Sequence, residues 1–263
     1  MATFDTLPLE ILFRVLDSVS SPHDSISSSF HPLNSLAAAN KHFDSAVEEY
    51  TRVLLKQHAN FAPKKKSKTY INRKKWLAET CQLCYKTSKR RSTLWSVLTC
   101  CLTCDKKHFP KVTMTNAINQ HKLSKLDLFT PNRLHPTLPS LSHGEYPVMG
   151  GVATMIYEPD LVARGDYLHG LLGLLDHTDN STARRRVRRH DLLMMHMEVA
   201  YSTARKIWYR KSPSLREEGK APAVRKSMET RESRDAFVRD ALASERASLH
   251  SQGASEDTAI ELD

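Results

Sequence analysis

The 263-residue sequence contains no apolar stretch approaching the roughly 20 residues that a membrane-spanning helix needs. Its opening, MATFDTLPLE, has no basic start, apolar run or small-residue cleavage site, so no secretory leader is expected. Ala2 stands where myristoylation requires glycine, and the final ELD is not a prenylation box. There is no phosphate-binding glycine loop, no nucleophile elbow and no internal repeat. Histidines are plentiful, 13 in all, but scattered. These gaps leave an enzyme without support. They also point to the cytoplasm, the nucleus or both, where thiols stay reduced.

Cysteine is scarce. There are five, and all fall between Cys81 and Cys104, in CQLCYKTSKRRSTLWSVLTCCLTC. Two residues separate Cys81 from Cys84 and Cys101 from Cys104, with sixteen between the pairs. This is the spacing of a four-cysteine zinc site. A two-residue gap forms a knuckle that turns both sulfurs toward one ion, and two knuckles fill four tetrahedral corners. Four thiolates leave no open position, so the expectation is one structural Zn2+ held by Cys81, Cys84, Cys101 and Cys104.

Other readings of the cluster carry less weight. Disulfides do not suit a reducing compartment. A redox pair needs βαβ surroundings, which the sequence lacks. An iron–sulfur cluster uses the same four-cysteine set. A RING ligase binds two zincs through eight ligands, more than these cysteines supply. Cys100 is the spare thiol, and His108 reads as a surface residue. Lys86, Lys106 and Lys107 are expected to offset the surplus negative charge of the thiolates.

The net charge is +10 and the isoelectric point about 9.4. Between Arg52 and Lys111 sixteen lysines and arginines face two acids, Glu79 and Asp105. That local excess of fourteen is larger than the whole-chain +10, so the basic character belongs to the segment that holds the cysteines. A second cluster, RRRVRRH, runs from Arg184 to His190. Such runs read as solvated faces or nuclear-import signals. Read instead as a nucleic-acid groove, the first segment offers Lys64, Lys65, Lys66, Arg73, Lys74, Lys75, Lys89, Arg90 and Arg91. Trp76, Tyr85 and Trp95 lie nearby for stacking on bases.

Along the chain, LPLEILFRVLDSV places Ile11, Leu12, Val15, Leu16 and Val19 at helical spacing. Pro8 suits the first helical position and Glu10 the first turn, where the dipole favours an acid. The serine-rich SSPHDSISSSF breaks the pattern. Pro32 opens a second helix, and a third follows the break near Asn40. Thr113 or Thr115 can cap a short helix, and Ser124 with Asp127 resembles a capping box. VATMIY, residues 152–157, reads as a strand, with a helix starting at Pro159. RRRVRRHDLLMMHMEVAYSTARKIWYR reads as one long amphipathic helix.

The first of these stretches, with LNSLAAANKHFDSAVEEYTRVLL after it, resembles the F-box over about the first 55 residues. Leu7, Pro8, Glu10, Ile11, Leu12, Leu33, Leu36, Asn40, Lys41 and Phe43 carry the match, and the serine-rich insert is longer than usual. The resemblance implies docking on the Skp-type linker of a cullin-RING (SCF) ubiquitin ligase through Leu7, Pro8, Ile11, Leu12, Val15, Leu16 and Leu36. The rest of the chain would then select a protein substrate. The cysteine region is similar to the zinc module that follows the F-box in many fungal proteins. More distantly it is similar to the zinc module of the xeroderma pigmentosum group A repair protein. That likeness extends over Val112, Thr113, Met114, Thr115, Ala117, His121, Leu123, Asp127 and Leu128.

The expected fold is mainly α. Residues 1–55 form a three-helix F-box-like unit and 56–75 a basic linker. Residues 76–128 form a small zinc module of treble-clef or ribbon type, and 129–151 an extended loop. Residues 152–211 hold a strand and helices, and 212–263 a charged, largely disordered tail. The expected function is a non-catalytic adaptor of an SCF-type ligase. The alternative is a zinc-ribbon-like nucleic-acid binder using residues 52–111.

Overall fold

The computed structural model describes residues 7–19, 31–59, 71–173, 180–211 and 226–250. Lys64, Lys65 and Lys66, and the tail residues 212–225 and 251–263, lie outside them. The chain divides into two compact units, Met1–Pro110 and Lys111–Asp263.

The first unit opens with α1 (Leu9–Val19), α2 (Pro32–Ala39), α3 (Lys41–His58) and α4 (Asn72–Glu79). Pro8, expected as the first helical residue, stands just before α1. Pro8 offers its carbonyl to the amides of Ile11 and Leu12, at 3.0 and 3.1 Å. The Nδ1 of His31 accepts from Leu33 N at 3.2 Å, with Pro32 at the first helical position. Asn40 Oδ1 accepts from Phe43 N at 2.8 Å, so one residue ends α2 and caps α3. Leu16, Leu33, Ala37, Val47, Tyr50 and Leu55 form the core, joined by Trp76 and Leu77 of α4. The core therefore needs a fourth helix, and the domain does not close at residue 55. The expected linker over 56–75 is corrected likewise: α3 continues to His58 and α4 begins at Asn72. The reason is Trp76, the bulkiest side chain in this core, which is 1% exposed.

After α4 the chain makes a hairpin marked by bridges between Thr80 and Thr87 and between Arg91 and Thr99. It then enters α5 (Leu102–His108). Leu94, Trp95, Leu98 and Phe109 are buried here. Trp95 and Phe109 meet edge to face at 5.9 Å.

The second unit runs β1 (Lys111–Thr113), α6 (Met114–Asn119), α7 (Lys125–Leu128), β2 (His143–Val148), β3 (Gly151–Tyr157), α8 (Glu158–Leu171), α9 (Asn180–Met197), β4 (Val199–Ser202), β5 (Ile207–Arg210) and α10 (Arg231–His250). An antiparallel sheet of order β1-β3-β2 sets Ile156 opposite Val112 and His143. Gly150, at φ +84°, turns β2 into β3. Ala117, Leu123, Leu128, Phe129, Leu141, Ile156, Leu161, Leu168 and Leu249 form one core. Leu126, Leu134, Leu193, Met194, Val238 and Leu242 form another.

Four boundaries differ from expectation. Residues 111–128 fold with the second unit, because Val112 joins the sheet and Leu123 and Leu128 enter its core, so the cysteine module ends near Pro110. The extended loop over 129–151 gives way to β2 from His143. The long helix expected to Arg210 stops at Met197, and Val199–Arg210 forms a hairpin instead. Its β-branched and aromatic residues favour a pleated surface, and Tyr201 and Trp208 pack on the core from it. The disordered tail is corrected over 231–250, where Val238, Leu242 and Leu249 hold α10 in place.

Candidate metal centre

The hairpin and α5 bring the four cysteines of the two knuckles together. The first knuckle closes when Tyr85 N donates to Cys81 O at 2.8 Å and Cys81 N donates to Lys86 O at 2.9 Å. Tyr85 takes a positive φ of 60° to complete it. The second knuckle is the start of α5: Cys101 is its N-cap, and its sulfur accepts from Cys104 N at 3.5 Å. The four Sγ atoms lie within 4.8 Å of one another, and Cys84 and Cys101 are 3.7 Å apart. A tetrahedral ion with metal–sulfur bonds of about 2.3 Å separates its ligands by about 3.8 Å. A disulfide would need about 2.05 Å, and all five thiols are free.

The electrostatics also call for a cation. Burial and the neighbouring sulfurs Cys101 and Cys84 push the Cys104 thiol up. Burial also raises Cys81, but amides of Cys101, Cys84 and Leu83 outweigh it and pull that thiol down to about 7. Four close thiolates repel one another until an ion takes their charge. Cys100 is different. Burial and the Cys81 charge push its thiol up, and its sulfur donates to Cys101 O at 3.5 Å. It stands outside the cluster, as the spacing predicts.

Asp105, unremarked as a site in the sequence, anchors the helix that carries Cys104. It is buried in the first turn of α5 and accepts from Arg90 Nη2 and Ser92 Oγ, each at 2.8 Å. Arg91 donates to Leu77 O at 3.3 Å and to Thr99 Oγ1 at 2.9 Å. Thr99 donates to Leu77 O as well. These bonds tie the hairpin to α4. Lys86, Lys106 and Lys107 are exposed on the elements that carry the cysteines.

Part of the basic segment is occupied with its own fold. Arg73 pairs with Asp44 at 3.0 Å, Lys75 with Glu79 at 3.1 Å and Lys89 with Glu79 at 3.9 Å. Arg90 and Arg91 serve the hairpin, and Lys74 is exposed. Trp76 and Trp95 are buried, so neither offers a stacking face. Tyr85 lies 4.6 Å from His58 and 5.7 Å from Trp76.

The predicted linker-binding residues divide in two. Leu12 and Leu16, each 3% exposed, are sealed in the unit's own interior and are corrected to core. They sit on the α1 face that meets α2 and α3. Pro8 and Ile11 are exposed, as is Leu9 beside them, while Leu7, Val15 and Leu36 are half-buried.

The second unit holds a charged network that sequence reasoning missed. Asp127, fully buried, is gripped by Arg186 through bonds of 2.8 and 2.9 Å and approached by His135 at 3.0 Å. Glu245 of α10 meets Arg189 at 2.8 Å and Arg186 at 3.2 Å. The ring of His190 lies between the acids. Its Nδ1 is 2.6 Å from Ser124 Oγ, and its Nε2 is 3.2 Å from Glu245 at an angle too poor for a hydrogen bond. Ser124 Oγ also donates to Asp127 Oδ2 at 2.8 Å. All three side chains of this Ser–His–Asp trio are buried. The predicted capping box of Ser124 and Asp127 is present, and Thr113 caps α6.

No family model, curated protein or solved structure matches the chain.

Proposed function

We propose that the chain is a non-catalytic adaptor of an SCF-type ubiquitin ligase, built around one structural zinc. The observation that carries the adaptor reading is the aliphatic edge Pro8–Leu9–Ile11, where Leu9 and Ile11 are 42% and 41% exposed at the start of α1. That edge stands on a packed helical core and continues the sequence resemblance to the F-box. With Leu12 and Leu16 committed inside, the docking face is Leu7, Pro8, Leu9 and Ile11, flanked by Val15 and Leu36. An exposed aliphatic anchor buried in a partner contributes roughly 1.5–3 kcal/mol before association costs.

Zinc is supported by the donor set. Sulfurs that close fit around a single ion, whereas a four-iron cluster puts each cysteine on its own iron. The zinc would be held by Cys81, Cys84, Cys101 and Cys104. It would fix the hairpin to α5 and leave no position for substrate. The alternative reading, nucleic-acid binding through residues 52–111, has less support because Arg73, Lys75, Lys89, Arg90 and Arg91 already have partners inside the fold.

The test is co-purification of the full chain with a Skp-type linker and its cullin. The double change Pro8→Ala and Ile11→Arg should abolish capture while the melting profile and metal content stay as in the wild type. Equal capture by wild type and variant would remove the adaptor reading.

A further inference from the structure

The sequence places its largest positive excess around the cysteines, but among the described residues a run of exposed arginines without a carboxylate partner lies on α9. On α9, Arg186 faces inward to Asp127 and Glu245, while Arg184, Arg185, Arg188 and Arg189 face outward. Arg189 pairs with Glu245. Arg185 reaches only the hydroxyls of Ser181 and Thr182, at 3.3 and 3.4 Å. Among the described residues no carboxylate pairs with Arg184, Arg185 or Arg188. We propose that this stripe, Arg184, Arg185 and Arg188, is a binding face for the phosphodiester backbone of a nucleic acid. The proposal is independent of the adaptor reading.

Three features point there. Arg184 and Arg188 are one turn apart, about 6 Å along the axis, with Arg185 beside them, so three guanidinium forks project from one face. Such forks grip phosphate oxygens in pairs, which lysine cannot do. Within the helix the printed contacts of the stripe are the two hydroxyl bonds of Arg185, and the first turn of α9 contains no acid to pair with it. Finally, no exposed apolar residue lies among 181–189. A protein partner needs a desolvated apolar centre for affinity, whereas nucleic-acid binding draws most of its affinity from phosphates. Lys122 adds to the field. Burial and then the charge of Arg184 hold its ammonium below the ordinary lysine value.

The test is fluorescence anisotropy of the full chain with a labelled mixed-sequence DNA duplex of about 20 base pairs. Two triple variants remove equal charge: Arg184→Gln, Arg185→Gln, Arg188→Gln, and Lys64→Gln, Lys65→Gln, Lys66→Gln. At about 0.1 M salt the α9 variant should bind at least about tenfold more weakly, and its slope of log K against log salt should fall by about 2–3. The lysine variant should lose clearly less. The single change Arg188→Glu should move affinity the same way with little disturbance to α9. Absence of binding by the wild type would overturn the proposal, as would equal losses in the two triple variants. So would displacement of the duplex by polyglutamate at matched charge, which would assign the face to an acidic protein.

Discussion

At the scale of single residues, the adjacent Cys100 and Cys101 have opposite assignments. Cys101 lies at the N-cap of α5 with its sulfur 3.7 Å from that of Cys84. Cys100 is fully buried and keeps its proton. Cys100→Ser should therefore retain one zinc per chain by elemental analysis, while Cys101→Ser should lose it. Reversal of those two results would mean that the second knuckle is one residue longer than the structure shows. Asp105 gives a second residue-scale prediction. Replacing it by Ala leaves Arg90 without its partner and frees the Ser92 hydroxyl. Loss of one partner from a buried ion pair costs about 3–5 kcal/mol. Arg90 keeps partial solvent access, with 29% of its side chain exposed, so the low end applies. Chemical denaturation should show that loss in the first unit, and zinc affinity should weaken with it.

At the scale of elements, α10 is the least expected part of the fold. Its composition is charged and alanine-rich, and nothing in the sequence marks Glu245 as different from its neighbours. Burial of Val238 and Leu242 follows helical spacing and could have been read. The pairing of Glu245 with Arg186 and His190 spans more than fifty positions of sequence, and spacing arguments do not reach that far. The β4–β5 hairpin was hidden for another reason. Short apolar runs fit both helical and strand periods, and Glu198, at φ +54°, breaks the helix without a glycine or proline to announce it. By contrast, the cysteine cluster, the cap at Thr113 and the Ser124–Asp127 box were legible, because each is local and each depends on residue type at fixed offsets.

The α10 network sets a pH dependence. Burial alone would raise Glu245, but His190, Arg186 and Arg189 hold it down at about 2, against 4.5 for an ordinary glutamate. A depressed acid stabilises the fold above its unfolded value and loses that contribution as pH falls through the folded one. Asp127 is likewise held well below its usual value: Arg186, His135 and His190 overcome its burial. His190 goes the other way. Burial would lower it, but Asp127 and Glu245 raise it above 6.5, so its contribution is present below pH 6.5 and fades as pH rises through the raised value. Resistance of the second unit to urea should therefore be greatest between about pH 4.5 and 6.5. It should fall on both sides, and Glu245→Gln should flatten the acid limb. An acid limb unchanged by that substitution would show that α10 is held by its apolar contacts alone.

At the scale of the whole molecule, each unit closes a hydrophobic core from its own residues, and among the described residues the candidate metal centre lies in the first. Binding of a structural zinc contributes directly to folding, on the order of 10–16 kcal/mol in small modules. In the first unit that contribution should reach beyond the cysteines, because Leu77 links the hairpin to the helical core through bonds from Thr99 and Arg91. Removal of the ion by a chelator should thus raise amide exchange over residues 72–109, α4 included. The sheet, α8 and α9 of the second unit should keep their protection. Glu245→Ala should do the converse, exposing amides of α9 and α10 while zinc stays bound. Hydrogen exchange read by mass spectrometry separates the two patterns. If either perturbation loosened both sets of amides together, the two units would be one cooperative body, and the assignment of metal and charge network to separate folding units would be wrong.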